Sequence, residues 1–563
     1  MERLIKIQCK NNNVEKNYPM GITLREILED MKVPETNSKF VAAKVNNKME
    51  DLHYEFYKPK KIEFVDISNS SGMRVYVRSL IMVFYKAAQK LFPGVSLRVE
   101  HPISKGYYCK LNNIDHTFTD EDIALIKSKM QEIIERDIPF IKVEDESEKI
   151  IQMFKEKDRK DVVELLESLG QNYSEYYSLG QTVDYYNGVL VPSTGYLSAF
   201  NIICYKDGVL LQIPKKQKPT ELDDFIEQDK MFEVFKEYIE WSQITKLQNV
   251  GDLNRFFKKD KDQRGEKTGM LIKVSEAMHE KRISQMSDAI YSHRDKVRVV
   301  LISGPSSSGK TTLSKRLSVQ LMANGLMPVT LSLDNYFVER EENPRDENGD
   351  YDYESLYALD IKLFNTQLQQ LLDGEEVVIP TYDFITGKKK YSSKNTMKIT
   401  DKNILILEGI HALNPELTPS VEGFKKFKIY VSALTTISLD NHNWVPTTDT
   451  RLLRRIIRDY RFRGYSAQQT ISRWDSVRRG EDKWIFPYQE NADIMFNSAL
   501  LFELSVLKSK AEPILDEVPK NCPEYSEAHR LLKFLRYLTP IREREIPQTS
   551  LLKEFLGGSG FKY

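Results

Sequence analysis

Cysteine is scarce in this chain: Cys9, Cys109, Cys204 and Cys522 are the only four in 563 residues, and they stand far apart. Without a C-x-x-C pair or a metal-ligand spacing, neither a disulfide framework nor a zinc knuckle can be built, and reduced thiols in a cytoplasmic protein are expected. No stretch reaches the roughly 18 apolar residues that cross a bilayer, and the opening MERLIKIQCKNN lacks a long apolar core, so no membrane role is expected. Net charge is also missing. Lys and Arg total 82 and Asp and Glu total 82, so no global field draws the chain to nucleic acid; any such contact is local. The eight histidines fall singly and offer no ligand cluster.

What is present is ordinary globular composition, 40% hydrophobic and 29% charged. At about 150 residues per domain the length predicts three or four domains. Residues 1–66 alternate short apolar runs (LIKIQ, FVAAKV, KIEFVD) around one helical piece, TLREILEDM. There Thr23 as N-cap and Glu26 three residues on make a capping box. Residues 67–240 mix helical stretches (RSLIMVFYKAAQKLF, DEDIALIKSKMQEIIERD) with strand-like ones (GYYCKL, LSAFNIICY, GVLLQI), an α+β region. A polar helical connector is predicted over 241–295. From 296 to 515, apolar strands (RVVLIS, MPVTLSL, ILILEG, KIYVSA, ADIMFN) alternate with amphipathic helices, which predicts a parallel sheet wrapped by helices. Residues 516–563 read as a tail with a helix at LLKFLRYLTPIRE and a glycine-rich end.

The strand RVVLIS runs directly into Gly304-Pro305-Ser306-Ser307-Ser308-Gly309-Lys310-Thr311, a full match to G-x-x-x-x-G-K-[ST]. The glycines let backbone N–H groups turn inward around phosphate oxygens, and the helix beginning near Lys310 adds its positive end. Residues 304–312, ending in Thr312, are thus the predicted triphosphate site. Lys310 is expected on the β- and γ-phosphates and the Thr311 hydroxyl on Mg²⁺.

Whether the phosphate is moved or only sensed depends on what faces it. The run SLDNYF puts Asp334 and Tyr336 at a strand's carboxyl end, where open α/β sheets bind ligands; Asp334 is the candidate base for an acceptor hydroxyl. Glu408, ending ILILEG, suits an outer-sphere Mg²⁺ contact. In DTRLLRRIIRDYRFRG, Arg451, Arg454, Arg455 and Arg458 share one helix face, with Arg461 and Arg463 beyond, and a lid clamping phosphoryl oxygens is expected.

Together GPSSSGKTT, SLDNYF, YDYESLYALD, IPTYDF, LILEGIHAL and DTRLLRRIIRDYRFRG resemble the uridine kinase and phosphoribulokinase group of P-loop kinases, in family order. The resemblance implies transfer of the γ-phosphate of ATP or GTP, with Mg²⁺, to a nucleoside 5′-hydroxyl. It implies Asp334 as catalytic aspartate, Asp352 as holder of the ribose hydroxyls, and Tyr382 and Phe384 as the nucleoside pocket. Arg455, Arg458 and Arg463 would serve lid, substrate and phosphates. Three positions depart from uridine kinases: Gly387 where a base-reading histidine is usual, Tyr465 for an arginine, and Arg473 for a glutamine. All three belong to base recognition, so the phosphate chemistry is carried over and the base is not. His411 and His442 stand near the site by position, with structural roles expected.

The front of the chain resembles a TGS domain, a β-grasp module. It is followed by the second additional, tRNA-editing domain of threonyl-tRNA synthetases, through FYKAAQKLFPG, GYYCKL, FTDEDIALIKSKMQEII and VDYYNGVLVPSTG. That domain's H-x-x-x-H and C-x-x-x-H sets fall here on Arg74 and Arg78, and on Tyr186 and Leu190, which can build neither a metal site nor a hydrolytic pocket. No deacylase activity is expected, and contact of residues 1–240 with tRNA or another RNA stays open. Two rivals to a nucleoside kinase also stay open: a kinase of another small hydroxylated metabolite, and an RNA- or ribosome-associated regulator whose P-loop senses nucleotide.

Overall fold

The computed structural model describes residues 3–34, 36, 38–114, 118–261, 265–347 and 349–562. The first sheet is mixed: Val14–Pro19, Leu4–Cys9, Lys60–Val65, Ala42–Val45 and Lys48–Glu50 lie in that spatial order, with Leu4–Cys9 and Lys60–Val65 parallel. Its helix, Leu24–Met31, starts at the expected capping box: the Glu26 amide donates to the Thr23 hydroxyl and the Thr23 amide to Glu26 at 2.8 Å. The helix buries Leu24, Ile27 and Met31 on the sheet, the spacing that one face of a helix provides.

Next come two antiparallel sheets. One orders Asn201–Tyr205, Gly208–Gln212, Gly106–Asn112 and Ser96–Ile103; the other orders Thr182–Asp184, Tyr173–Leu179 and Ile141–Glu146. The 22-residue helix Ser70–Leu91 is apolar on most sides and is buried along most of its length, a sequence only a core can accept. Helices Asp229–Thr245, Val250–Lys261 and Glu266–Ser292 follow, and they do not stand apart as a linker. Val250, Leu253 and Phe257 share one apolar core with Val162 and Leu165 before them and with Leu452, Phe502 and Leu535 after them.

The last sheet is wholly parallel, in the order Met327–Ser332, Asn403–Glu408, Val299–Ser303, Lys426–Ser432, Ile494–Asn497. Val299–Ser303 is buried at every position, as its unbroken apolar run requires of a central strand covered on both faces. It leads through the glycine loop into the P-loop helix, Lys310–Ala323. Beyond the sheet, helix Tyr525–Leu535 packs into the shared core, and the final segment turns back to a four-residue helix, Lys553–Leu556. Among the described residues no helix is long and apolar enough to cross a membrane.

Candidate active site

A cleft of about 1460 Å³ opens at the carboxyl ends of the parallel strands, and the glycine loop forms its floor. Gly304 has φ +157° and a Cβ there would lie 2.0 Å from the Val431 carbonyl oxygen, so the loop passes the neighbouring strand at a distance only glycine permits. Ser307 holds φ +60°, a left-handed conformation costing a non-glycine residue roughly 1–2 kcal/mol. The hydroxyls of Ser307 and Ser308 are buried without a hydrogen-bond partner. Unpaired buried hydroxyls beside a helix N-terminus are what an oxyanion would satisfy.

Lys310 folds back over the loop and donates to the carbonyls of Gly304 (2.9 Å) and Pro305 (3.2 Å). Burial pulls its ammonium below the usual lysine range, while Glu408, Asp334 and Glu554 oppose that shift. Ser306 to Thr311 line the cleft; Gly304 and Pro305 lie beneath it, and Thr312 is buried at the helix start. Glu408 accepts from Ser332 Oγ at 2.9 Å and lies 3.5 Å from Thr311 Oγ1. Burial first, then the charge of Asp334, raise its carboxyl to about 7.

Of the residues expected on the acceptor side, Asp334, Tyr382 and Phe384 line the cleft. Phe337, Tyr382 and Phe384 form an aromatic wall with ring centroids 5.0–5.6 Å apart. Two expectations need correction. Tyr336 is fully buried in the core, its hydroxyl donating to Gln367 at 2.8 Å and its ring edge-on to Phe364, so it does not reach the cleft. The short 3₁₀ turn Leu333–Tyr336 sends it inward while Asp334 stays exposed. Asp352 is also not on the cleft wall; its Oδ1 accepts the Glu354 amide in a turn. Glu354, two residues on, does line the cleft. Its Oε2 is buried without a partner, burial raises its carboxyl to about 7 despite Arg455, and Gly480 makes room for it, since a Cβ there would lie 2.2 Å from Glu354.

The arginine helix, Thr447–Phe462, divides its cations between two tasks. Arg451 and Arg454 are fully buried; they pair with Glu481 and Glu503, and Arg451 Nε also holds the Ser306 carbonyl at 3.0 Å. They brace the loop and cannot move as a lid. Arg455 and Arg458 face the cleft, with Arg463 at its exposed edge, and all three lean on the single carboxylate of Asp459. Arg455 also reaches Ser306 Oγ at 2.9 Å, and burial lowers the Arg458 guanidinium to about 10. A cationic surplus therefore faces the phosphate loop.

The three departing positions each have a local cause. Gly387 has φ +72° in the hairpin of Thr381–Asp383 with Lys388–Lys390, and a Cβ there would lie 2.7 Å from Arg340. Arg473 stacks its guanidinium on the Tyr465 ring at 5.4 Å, and both line the cleft. His411 and His442 are buried off the cleft; His442 pairs with Asp184. In the editing-like region Arg78 donates to the Val189 carbonyl at 3.0 Å, Arg74 pairs with Glu527 at 3.1 Å, and Tyr186 and Leu190 are core residues. Among the described residues no group of three or more His, Cys, Asp or Glu gathers to hold a metal.

Comparison with known proteins agrees with this division. The threonine–tRNA ligase of Syntrophomonas wolfei is 32% identical over 201 residues, 36% of this chain and 31% of that ligase. The chain thus spans about a third of the length of the ligases it matches, through its N-terminal region. The uridine kinase of Ligilactobacillus salivarius is 31% identical over 198 residues, 35% of this chain and 83% of that kinase. A solved structure described as a possible uridine kinase from Bacillus stearothermophilus is 24% identical over 38% of this chain and 98% of its own, with a TM-score of 0.27. Residues 299–501 match the Phosphoribulokinase / Uridine kinase family, and with the extent of the kinase match they establish that this chain belongs to that family.

Proposed function

We propose that the chain is an ATP- or GTP-dependent, Mg²⁺-requiring kinase whose acceptor is the hydroxyl of a nucleoside or of a nucleoside-like alcohol. One observation carries the reading: a single cleft unites the phosphate loop and its unpaired serine hydroxyls with Asp334 and an aromatic wall on the acceptor side. A sensor of nucleotide has no use for the second half of that arrangement.

In the reaction, the acceptor oxygen bonds to the γ-phosphorus, the bond from that phosphorus to the β–γ bridging oxygen breaks, and the diphosphate leaves. The acceptor's proton passes to Asp334, which stands exposed in the cleft to receive it. Lys310, Arg455 and Arg458 hold the charge that spreads over the transferring oxygens. Thr311 and Glu408, with the donor's phosphates, offer the hard oxygen donors that Mg²⁺ prefers; when bound, it would supply charge neutralisation between the β- and γ-phosphates. Glu354 takes the place expected of Asp352 as the acceptor-side carboxylate. With the Tyr465–Arg473 pair in place of base-reading groups, discrimination among bases is expected to be weak.

The test is Asp334→Asn. Transfer should fall by about 10²–10⁴-fold, the usual worth of a general base, while binding of the triphosphate persists. Transfer at the wild-type rate would remove Asp334 from the chemistry.

A further inference from the structure

The last segment of the chain lies beyond residue 501, where the family match ends, and it returns to the phosphate loop. Ser550, Leu551, Leu552 and Phe555 are wholly buried. A Leu551 methyl sits 2.8 Å from where a Cβ at Gly309 would be, and Phe555 lies under the Arg454 guanidinium at 5.1 Å. The backbone here is therefore locked onto the site. From that anchor Glu554 reaches the first turn of the P-loop helix, where its Oε2 accepts from the Thr312 amide (3.2 Å) and the Thr312 hydroxyl (2.6 Å). Lys553, Glu554, Gly557, Gly558, Ser559 and Phe561 line the same cleft.

Free amides at a helix start, next to a glycine loop, are the donors on which a phosphate rests. A carboxylate already holds those of Thr312. We propose that Glu554 is a built-in competitor for the donor nucleotide, occupying a phosphate seat that the donor takes only when the side chain leaves Thr312. The inference rests on the reading of this cleft as a donor site. Two anionic groups cannot share one amide and one hydroxyl. Because Ser550–Phe555 is bolted down, the side chain must leave and not the segment. Glu554 is only half-buried, so its carboxylate can rotate into the open cleft. The donor's apparent affinity is then reduced by the fraction of molecules in which Thr312 is occupied. The same charge also acts on Lys310 and Arg458, two of the three cations assigned to the transferring phosphate, though burial dominates their shifts.

The plain alternative is that Glu554 merely caps a helix whose N-cap, Gly309, has no side chain. The two are separated by titrating the full-length chain with a fluorescent ATP analogue, alongside thermal unfolding, for wild type, Glu554→Gln, Glu554→Ala and Lys310→Ala. Glu554→Gln preserves size and hydrogen bonding and removes the charge. Both Glu554 variants should bind the analogue about tenfold more tightly than wild type, the worth of one charge-assisted hydrogen bond. A lower melting temperature with unchanged or weaker binding would overturn the proposal and leave a structural cap. Absence of binding in every variant, Lys310→Ala included, would overturn the donor-site reading itself and the competitor with it. Binding lost only in Lys310→Ala and tightened in the Glu554 variants supports both.

Discussion

In the region that resembles an editing domain, Arg78 donates to the Val189 carbonyl and Arg74 is tied to Glu527, which in turn holds Arg530 beside Asp449 of the arginine helix. In the kinase cleft the hydroxyls of Ser307 and Ser308 and one oxygen of Glu354 are buried with no partner. The two arginines of the first region are engaged within the fold, whereas the serine hydroxyls and Glu354 of the second are left open, at a cost in stability, for a ligand to satisfy. Each region is similar to a different enzyme family, the front to threonine–tRNA ligases and the back to the Phosphoribulokinase / Uridine kinase family. The front region shares a core and an ion network with the kinase region.

That contrast can be broken by exchanging its two signatures. The largest effect is expected at Arg159, buried against Asp161 (2.9 Å), Asp184 (2.6 Å) and Asp440 where the front half meets the loop carrying His442. Arg159→Met strands these carboxylates and should cost about 3–5 kcal/mol in denaturant unfolding, with donor affinity of the folded fraction unchanged. Lost donor binding at full stability would mean that the front half acts on the cleft and does not only support it.

A smaller effect is expected at Glu354, whose carboxyl is raised to about 7 by burial. Between its unfolded value near 4.3 and the folded value, the folded chain holds a proton that the unfolded chain has released. Stability from this group is thus complete below about pH 4 and is lost as pH rises towards 7, by at most about 1.4 kcal/mol per pH unit. Glu354→Gln should flatten the melting temperature across that window. An unaltered pH profile would show that Glu354 is already ionised and paired.

The phosphate loop and the Thr23–Glu26 capping box were legible because each is written in adjacent residues whose backbone geometry follows from their spacing. The five parallel strands were legible for the same reason, as apolar runs bounded by loops. Tyr336 was misplaced because the carboxyl end of a strand does not say which way a 3₁₀ turn directs each side chain, and Asp352 because the inward residue of YDYES lies two positions further on. Arg451 and Arg454 belong to the predicted face, but helical spacing cannot tell a guanidinium facing solvent from one buried on Glu481 or Glu503. Glu554 left no local trace: its partner, Thr312, is 242 residues away.

The central claim is that the cleft joins a triphosphate to an alcohol. The purified chain, incubated with ATP, Mg²⁺ and a panel of nucleosides and sugar-like alcohols, should yield by mass spectrometry one class of acceptor carrying a new phosphoryl group, in step with ADP. Release of inorganic phosphate with every acceptor unchanged would contradict it.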